Sequence, residues 1–321
     1  MPYNLQTVCL SEINKDEETF RITTTVDAGS LVASIVKVGL IHPPILIQRD
    51  SRFVVVSGFR RIAAVRLLKF KQFSARILDS MTSHLDCVQL AIADNAFQRS
   101  LNPIEISRGL SLLSPCFENE SELSQTARAL GLPDSAPLIK KLIPLCNLPW
   151  EVREGVINNS IPPQVARMLC SLDTQDAIWL ALIFNSLKIS LNKQREIITL
   201  SQEIAHREDL PLGAVFAEKE LCDILHDPDL DRSRKAAALR SYLKHRRFPA
   251  LTRAKDAFEE MLKSLKLDAS AKLIAPVDFE GRHFTLNLTF KELGELERHK
   301  NTIDRIARHH AMKRLTDPAA E

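Results

Sequence analysis

The stretch FVVVSGFRRIAAVRLL, residues 53–68, joins a β-branched run to a helical one through a single glycine. Val54 to Val56 predict a strand, Ile62, Val65 and Leu68 recur at helical spacing, and Gly58 falls on the turn between the two periods. A strand that turns on glycine into a helix N-terminus presents backbone N–H groups and the positive end of a helix dipole. Arg60 and Arg61 add full charge there, so the junction is suited to holding phosphate. A packed αβ corner with solvated arginines has the same pattern, and taken alone the junction leaves both readings open.

Outward from this junction, composition sets bounds. With 321 residues, 45% hydrophobic and 26% charged, the chain is long enough for two or three domains with real cores. No run approaches the ~20 apolar residues of a membrane span. The opening MPYNLQTVCLSEINKDEE lacks the basic and apolar regions of a secretory signal, so the expectation is a cytoplasmic protein with no membrane partner. Six cysteines (Cys9, Cys87, Cys116, Cys146, Cys170 and Cys222) stand singly with no CxxC, which fits reduced thiols and argues against zinc. The net charge of +3 neither requires nor excludes nucleic acid, so local patterns carry that question.

Four regions are expected in an α+β, multidomain chain. Residues 1–102 alternate strand-like and helical segments: Arg21 to Thr25, LVASIVKVGL, PPILIQRD, the strand-turn-helix, and FSARIL. They read as a small α/β domain. Residues 103–207 have helical periodicity with breaks at GLPDSAP, NLPW and NNSIPP, and read as an all-helical domain. Residues 208–250 read as a basic helical connector. Residues 251–321 read as α-β-β-α, with strands in AKLIAPV and HFTLNLTF, a turn at FEGR and a closing helix KELGELERHKNTIDRIARHH. A unit of some 60 residues with two short strands is marginal alone, and a second copy is expected to complete its core, which makes the chain a homodimer.

Two further motifs carry a family resemblance. IADNAFQRSLNPIEISRGL, residues 92–110, resembles the ENLQR-x-x-LNPIEEA signature of ParB/RepB/Spo0J-type partition proteins, and SGFRRIAAV resembles their GERR-x-x-A box. LIHPPILI resembles their G-x-x-x-P-I strand, and LIPLCNLP and NNSIPPQVARML resemble later stretches in the same order. The C-terminal α-β-β-α resembles their dimerisation domain.

The resemblance implies a CTP-binding DNA clamp that acts in plasmid or chromosome partition. By position, Gly58, Arg60 and Arg61 would cradle the phosphates of CTP, and Asp94 and Asn95 would hold Mg2+. Arg99 is expected either to add charge to the same site or to bridge a nearby carboxylate. Hard oxygen ligands shared with phosphates suit magnesium, and arginine forks suit phosphate oxygens. The family's glutamate in GERR is Phe59 here, and a phenyl ring neither orients a water nor accepts a proton, so CTP hydrolysis is open while binding is expected. Asp94 is one methylene shorter than the family's glutamate. Asp and Asn also favour helix boundaries, the ordinary structural reading of Asp94-Asn95.

For double-stranded DNA, SQTARALGL followed by DSAPLIKKLI fits a helix-turn-helix. Ala127 and Gly131 would give the packing and the turn, Asp134 or Ser135 the cap, and Pro137 the first helical turn. Gln125 on the first helix, Lys140 and Lys141 on the second and Arg167 in QVARML are the expected DNA contacts, and Pro144 should end the second helix. A solvated Lys-Lys pair on a helical corner is the alternative.

In the connector, Arg232, Arg234, Lys235, Arg240, Lys244, Arg246 and Arg247 either hold DNA without sequence preference or form a solvated helix face. His299, His309 and His310 lack ligand-spaced partners and are assigned no metal. A ParA-type ATPase is the partner that partition implies. Such proteins often meet it through a basic arm, whereas this chain enters its first strand almost at once. A transcriptional or nucleoid regulator on the same fold, with weak or no nucleotide turnover, is the second reading. A nucleotide-dependent enzyme without DNA binding is the third.

Overall fold

A computed structural model of the chain describes residues 3–24, 28–279, 283–310 and 312. It divides into two compact units, Met1–Leu191 and Asn192–Glu321.

The first unit opens on a four-stranded sheet. In chain order come β1 (Tyr3–Cys9), α1 (Gly29–Val38), β2 (Ile45–Arg49), β3 (Arg52–Ser57), α2 (Phe59–Leu67), β4 (Gln72–Leu78) and α3 (His84–Ala96). The strand order is β1-β4-β2-β3. β2 and β3 form an antiparallel hairpin, β1 is antiparallel to β4, and β2 is parallel to β4 through Ile45↔Arg76, Leu46↔Ile77 and Ile47↔Leu78. A parallel pair needs a crossover, and here β3 and α2 supply it. That lays Ile62 and Val65 of α2 onto Leu46, Val55, Phe73 and Ala75 of the sheet. Val54, Val55, Val56 and Ser57 are all buried, so the β-branched run lies under cover on both faces, as its unbroken apolar character requires.

The expected Arg21–Thr25 strand does not form over residues 21–24, which run as irregular backbone, and Thr25 lies outside the described residues. The physical reason is that these groups find other partners. The Thr24 amide bonds a side chain of a later helix, and the Thr23 carbonyl accepts from Arg21 and Arg108. Backbone groups satisfied in this way need no ladder.

Helices complete the unit: α4 (Pro103–Leu113), α5 (Glu120–Ala129), α6 (Ala136–Leu142), α7 (Trp150–Ile157), α8 (Pro163–Leu169) and α9 (Thr174–Leu187). Ile104, Leu110 and Leu113 bury one stripe of α4. The fully buried Ser107 ties α4 to the turn after α6, donating to the Ile143 carbonyl at 3.0 Å and accepting from the Cys146 amide at 2.8 Å.

The second unit holds α10 (Leu191–Glu208), α11 (Leu212–Phe216), α12 (Lys219–His226), α13 (Arg232–Arg247) and α14 (Pro249–Leu265). After them come the antiparallel pair β5 (Ala271–Ile274) and β6 (Thr285–Leu288), and then α15 (Leu293–Arg308). Phe258, Met261, Leu265, Leu273 and Ile306 form a small core for the last four elements. Most of the expected FEGR turn, from Glu280 to Arg282, lies outside the described residues.

Candidate functional site

Gly58 sits at the N-terminus of α2 with φ +96°, in the left-handed region that an L side chain rarely adopts. A Cβ added there would lie 2.8 Å from the Pro44 Cβ and 3.0 Å from its Cα. Both conformation and space therefore demand glycine. The first intrahelical bond runs from the Ile62 amide to the Gly58 carbonyl, and no side chain caps the helix, so α2 presents its opening amides at this glycine. Arg60 and Arg61 are half-buried on the first turn. Arg61 donates to the Pro43 carbonyl at 3.4 Å and reaches Asp94 Oδ2 at 3.4 Å. A narrow cradle of amides with a guanidinium at its edge suits a phosphate group. Phe59 points the other way and packs against the cluster of Val8, Leu46 and Ile62, which explains an apolar residue at the helix start.

Asp94 and Asn95 lie in the last turn of α3, and their side chains diverge. Asp94 Oδ2 accepts from the Ser57 hydroxyl and Arg61, and Oδ1 accepts from Gln98 at 2.8 Å. Asn95 donates to the Ala91 carbonyl at 2.8 Å and accepts from the Thr23 hydroxyl at 3.2 Å. As a donor set, two hard oxygens suit magnesium shared with phosphates. In this arrangement only Asp94 faces the cradle, and it would exchange present partners to bind a cation. Among the described residues no group of three or more His, Cys, Asp or Glu side chains is placed to hold a metal.

Arg99 forms a two-pronged pair with Glu105, at 2.6 and 2.8 Å. Glu105 is 2% exposed and also accepts from the amides of Thr24 and Asn102, each at 3.1 Å. Burial alone would raise its carboxyl, but the Arg99 fork and the two amides outweigh it and hold Glu105 below the usual carboxylate range. Arg108 donates to the carbonyls of Ile22 and Thr23, and burial, with Arg153 and Arg21 nearby, pulls its guanidinium down from the ordinary value. The structure thus groups Gly58, Arg61 and Asp94, while Asn95 and Arg99 bond to residues elsewhere. Sequence reasoning missed Ser57, Thr23, Gln98 and Glu105. For Glu105 a signal existed: Asn102-x-x-Glu105 is a capping box, and both of its reciprocal bonds are present at the start of α4.

The helix-turn-helix candidate comprises α5, a turn in which Gly131 takes φ +73°, and α6. Ala127 is fully buried and Pro137 lies in the first turn of α6. Ser135 occupies the cap position without a side-chain bond. α6 ends at Leu142 and passes into a 3-10 turn, Ile143–Asn147, at Pro144. Gln125, Lys140, Lys141 and Arg167 are exposed, and Lys140 pairs with Glu120 at 2.5 Å.

The basic run on α13 is different. Arg240 and Lys244 bind Glu196 at 2.6 and 2.7 Å, Arg247 binds Glu203 at 2.6 Å, and Arg246 binds Glu208 at 2.6 Å. Lys235 donates to the Leu225 carbonyl at 2.8 Å. Arg207 of α10 donates to the last carbonyls of α13, those of Arg246 and Arg247. Arg240, Lys244, Arg246 and Arg247 thus clamp α13 to α10, while Arg232, Arg234 and Lys244 remain exposed. His299 is buried against the Thr289 carbonyl at 3.0 Å.

Known proteins resemble this chain mainly over its N-terminal part. The family described as ParB N-terminal domain matches residues 3–96, the sheet and α1–α3. The Probable chromosome-partitioning protein ParB of Campylobacter jejuni is 28% identical over 185 residues, 56% of this chain and 62% of that protein. A Nucleoid occlusion protein of Shouchella clausii is 24% identical over 49% of this chain and 54% of that protein. Among solved structures, C-terminally truncated ParB of Caulobacter crescentus complexed with CTP-gamma-S aligns with 20% identity and TM-score 0.26, over 56% of this chain and 98% of that one. Residues 3–96, the N-terminal sheet module, are thus similar to a ParB N-terminal domain. The chain is similar to these partition and nucleoid occlusion proteins, and it spans less than two thirds of the length of the Campylobacter and Shouchella proteins.

Proposed function

We propose that this chain is a CTP-gated, dimeric clamp on double-stranded DNA that acts in plasmid or chromosome partition, working in the cytoplasm on the nucleoid. The observation that carries the reading is the left-handed Gly58, held against Pro44, where α2 opens beside Arg60 and Arg61. In this reading residues 1–102 bind nucleotide, 103–207 bind DNA, 208–250 connect and 251–321 dimerise. Arg60, Arg61 and the α2 amides take the phosphates. Asp94, with Asn95 brought round to it, would hold Mg2+, whose charge offsets that of the phosphates. Arg99 supports the site through Glu105 and does not touch the nucleotide. Gln125, Lys140, Lys141 and Arg167 contact DNA, chiefly its phosphates. Support for a homodimer comes from α15, whose Leu293, Leu296 and Ile303 remain exposed alongside the buried His299, Thr302 and Ile306. A ParA-type ATPase is the partner that the Campylobacter protein's partition role would bring.

The test is calorimetric titration with CTP, ATP, GTP and UTP plus magnesium, alongside phosphate release with and without DNA. Selective CTP binding is expected. If none of the four nucleotides binds, even with DNA present, the clamp reading is wrong.

A specific observation favours a second reading, a transcriptional or nucleoid regulator. Phe59 is partly buried against the sheet core at the helix start and offers no group to orient an attacking water, and the chain is also similar to a Nucleoid occlusion protein. Binding of CTP with no phosphate release would favour gating without turnover. DNA binding with no nucleotide effect would favour the regulator.

A further inference from the structure

The carboxylate of Asp94 stands at the mouth of the Gly58 cradle and holds donors that an incoming anion would need. Arg61 reaches its Oδ2 at 3.4 Å, and the Ser57 hydroxyl donates to the same oxygen. Carboxylate and phosphate oxygens compete for guanidinium and hydroxyl donors through the same chemistry. Asp94 also sits in the last turn of α3, where the helix dipole disfavours negative charge. Ser57 is 1% exposed, and a buried hydroxyl is costly to leave without an acceptor. Release of Asp94 is therefore best balanced when another oxygen acceptor, such as a phosphate oxygen, takes its place.

We propose that Asp94 is a self-blocking counter-ion, which competes with polyphosphate for Arg61 and Ser57 and leaves them when it takes a divalent cation. The proposal rests on the reading of the cradle as a nucleotide site, and adds to it that cation and polyphosphate bind in a coupled way because one side chain must change partners. Without the cation, the blocked cradle binds polyphosphate poorly.

The experiment is calorimetric titration of the full chain in EDTA with inorganic tripolyphosphate and with CTP, using wild type, Asp94→Asn, Arg61→Ala and the double variant, with folding checked by circular dichroism. Asp94→Asn should bind tripolyphosphate about tenfold tighter than wild type. The gain should vanish in the Arg61→Ala background, because the coupling runs through that pair. With magnesium and CTP the order should reverse. Equal affinities of wild type and Asp94→Asn in EDTA overturn the proposal, and so does a gain that persists without Arg61, which would be a bulk charge effect. If wild type binds magnesium and CTP but Asp94→Asn shows no gain in EDTA, the counter-ion role alone fails. If no variant binds either probe under any condition, the nucleotide reading fails with it. Should Asp94→Asn not fold, Asp94→Ala gives the same comparison.

Discussion

Two arginine-rich surfaces of this chain look alike in sequence and behave oppositely in structure. At the Gly58 junction Arg61 holds one carboxylate at 3.4 Å, a loose pair beside a helix N-terminus. On α13, Arg240, Lys244, Arg246 and Arg247 are matched by Glu196, Glu203 and Glu208 at 2.6 to 2.7 Å. Burial would raise Glu196, but Arg240 and Lys244 outweigh it and hold its carboxyl low. The difference teaches that how tightly cations are paired, and not only how many there are, distinguishes a surface that can exchange partners from one that holds helices together. A cation already paired at short range must lose that bond to gain a phosphate, and the exchange is close to neutral.

The strongest break of this contrast is at the cradle. Gly58→Ala forces a Cβ to 2.8 Å from Pro44 in a left-handed conformation, so nucleotide binding should be lost in calorimetry and the fold weakened by about 2 kcal/mol in denaturant titration. Retained binding would mean that the turn is not the phosphate site. Next comes Glu105→Ala, which strands the Thr24 and Asn102 amides and should cost about 3 kcal/mol. The Glu105 contribution is fully present above the unfolded carboxyl value of ~4.3, and is lost as pH falls through the lower folded value. Urea midpoints across acid pH should therefore fall in wild type and stay flatter in the variant.

Smaller effects sharpen the other side. Lys141→Ala, at an exposed position on α6, should weaken DNA a few-fold and reduce the slope of log affinity against log salt by roughly 0.9. Arg246→Ala should leave that slope unchanged and cost about 1 kcal/mol in stability, read by thermal melting. An Arg246 variant that lowers the salt slope would return α13 to the DNA-binding surface.

The strand-glycine-helix junction, the helical middle and the α-β-β-α end were readable because each rests on local periodicity and turn chemistry. Gly58 was readable for the same reason, since its need for φ > 0 is a property of the turn itself. What the sequence concealed depends on distant pairing. Asp94 meets Ser57 and Arg61 across 37 and 33 positions, and Arg240 meets Glu196 across 44. No spacing rule reaches that far. Residues 21–24 misled for a related reason, since their β-branched side chains suggest a ladder while their backbone bonds go to Glu105, Arg21 and Arg108. Phe59 was noticed as a departure, but its burial explains why the position tolerates a ring.

The bond from the Thr24 amide to Glu105 closes a span of 81 residues. Closing a loop of that length costs more chain entropy than closing a local turn, so the contact is expected to form after the local elements. Because a single deuterium on Thr24 is shielded by a carboxylate that is itself buried, its exchange rate would time the opening of that span. One amide thus serves as a clock for the moment when the sheet and α4 become a single cooperative body.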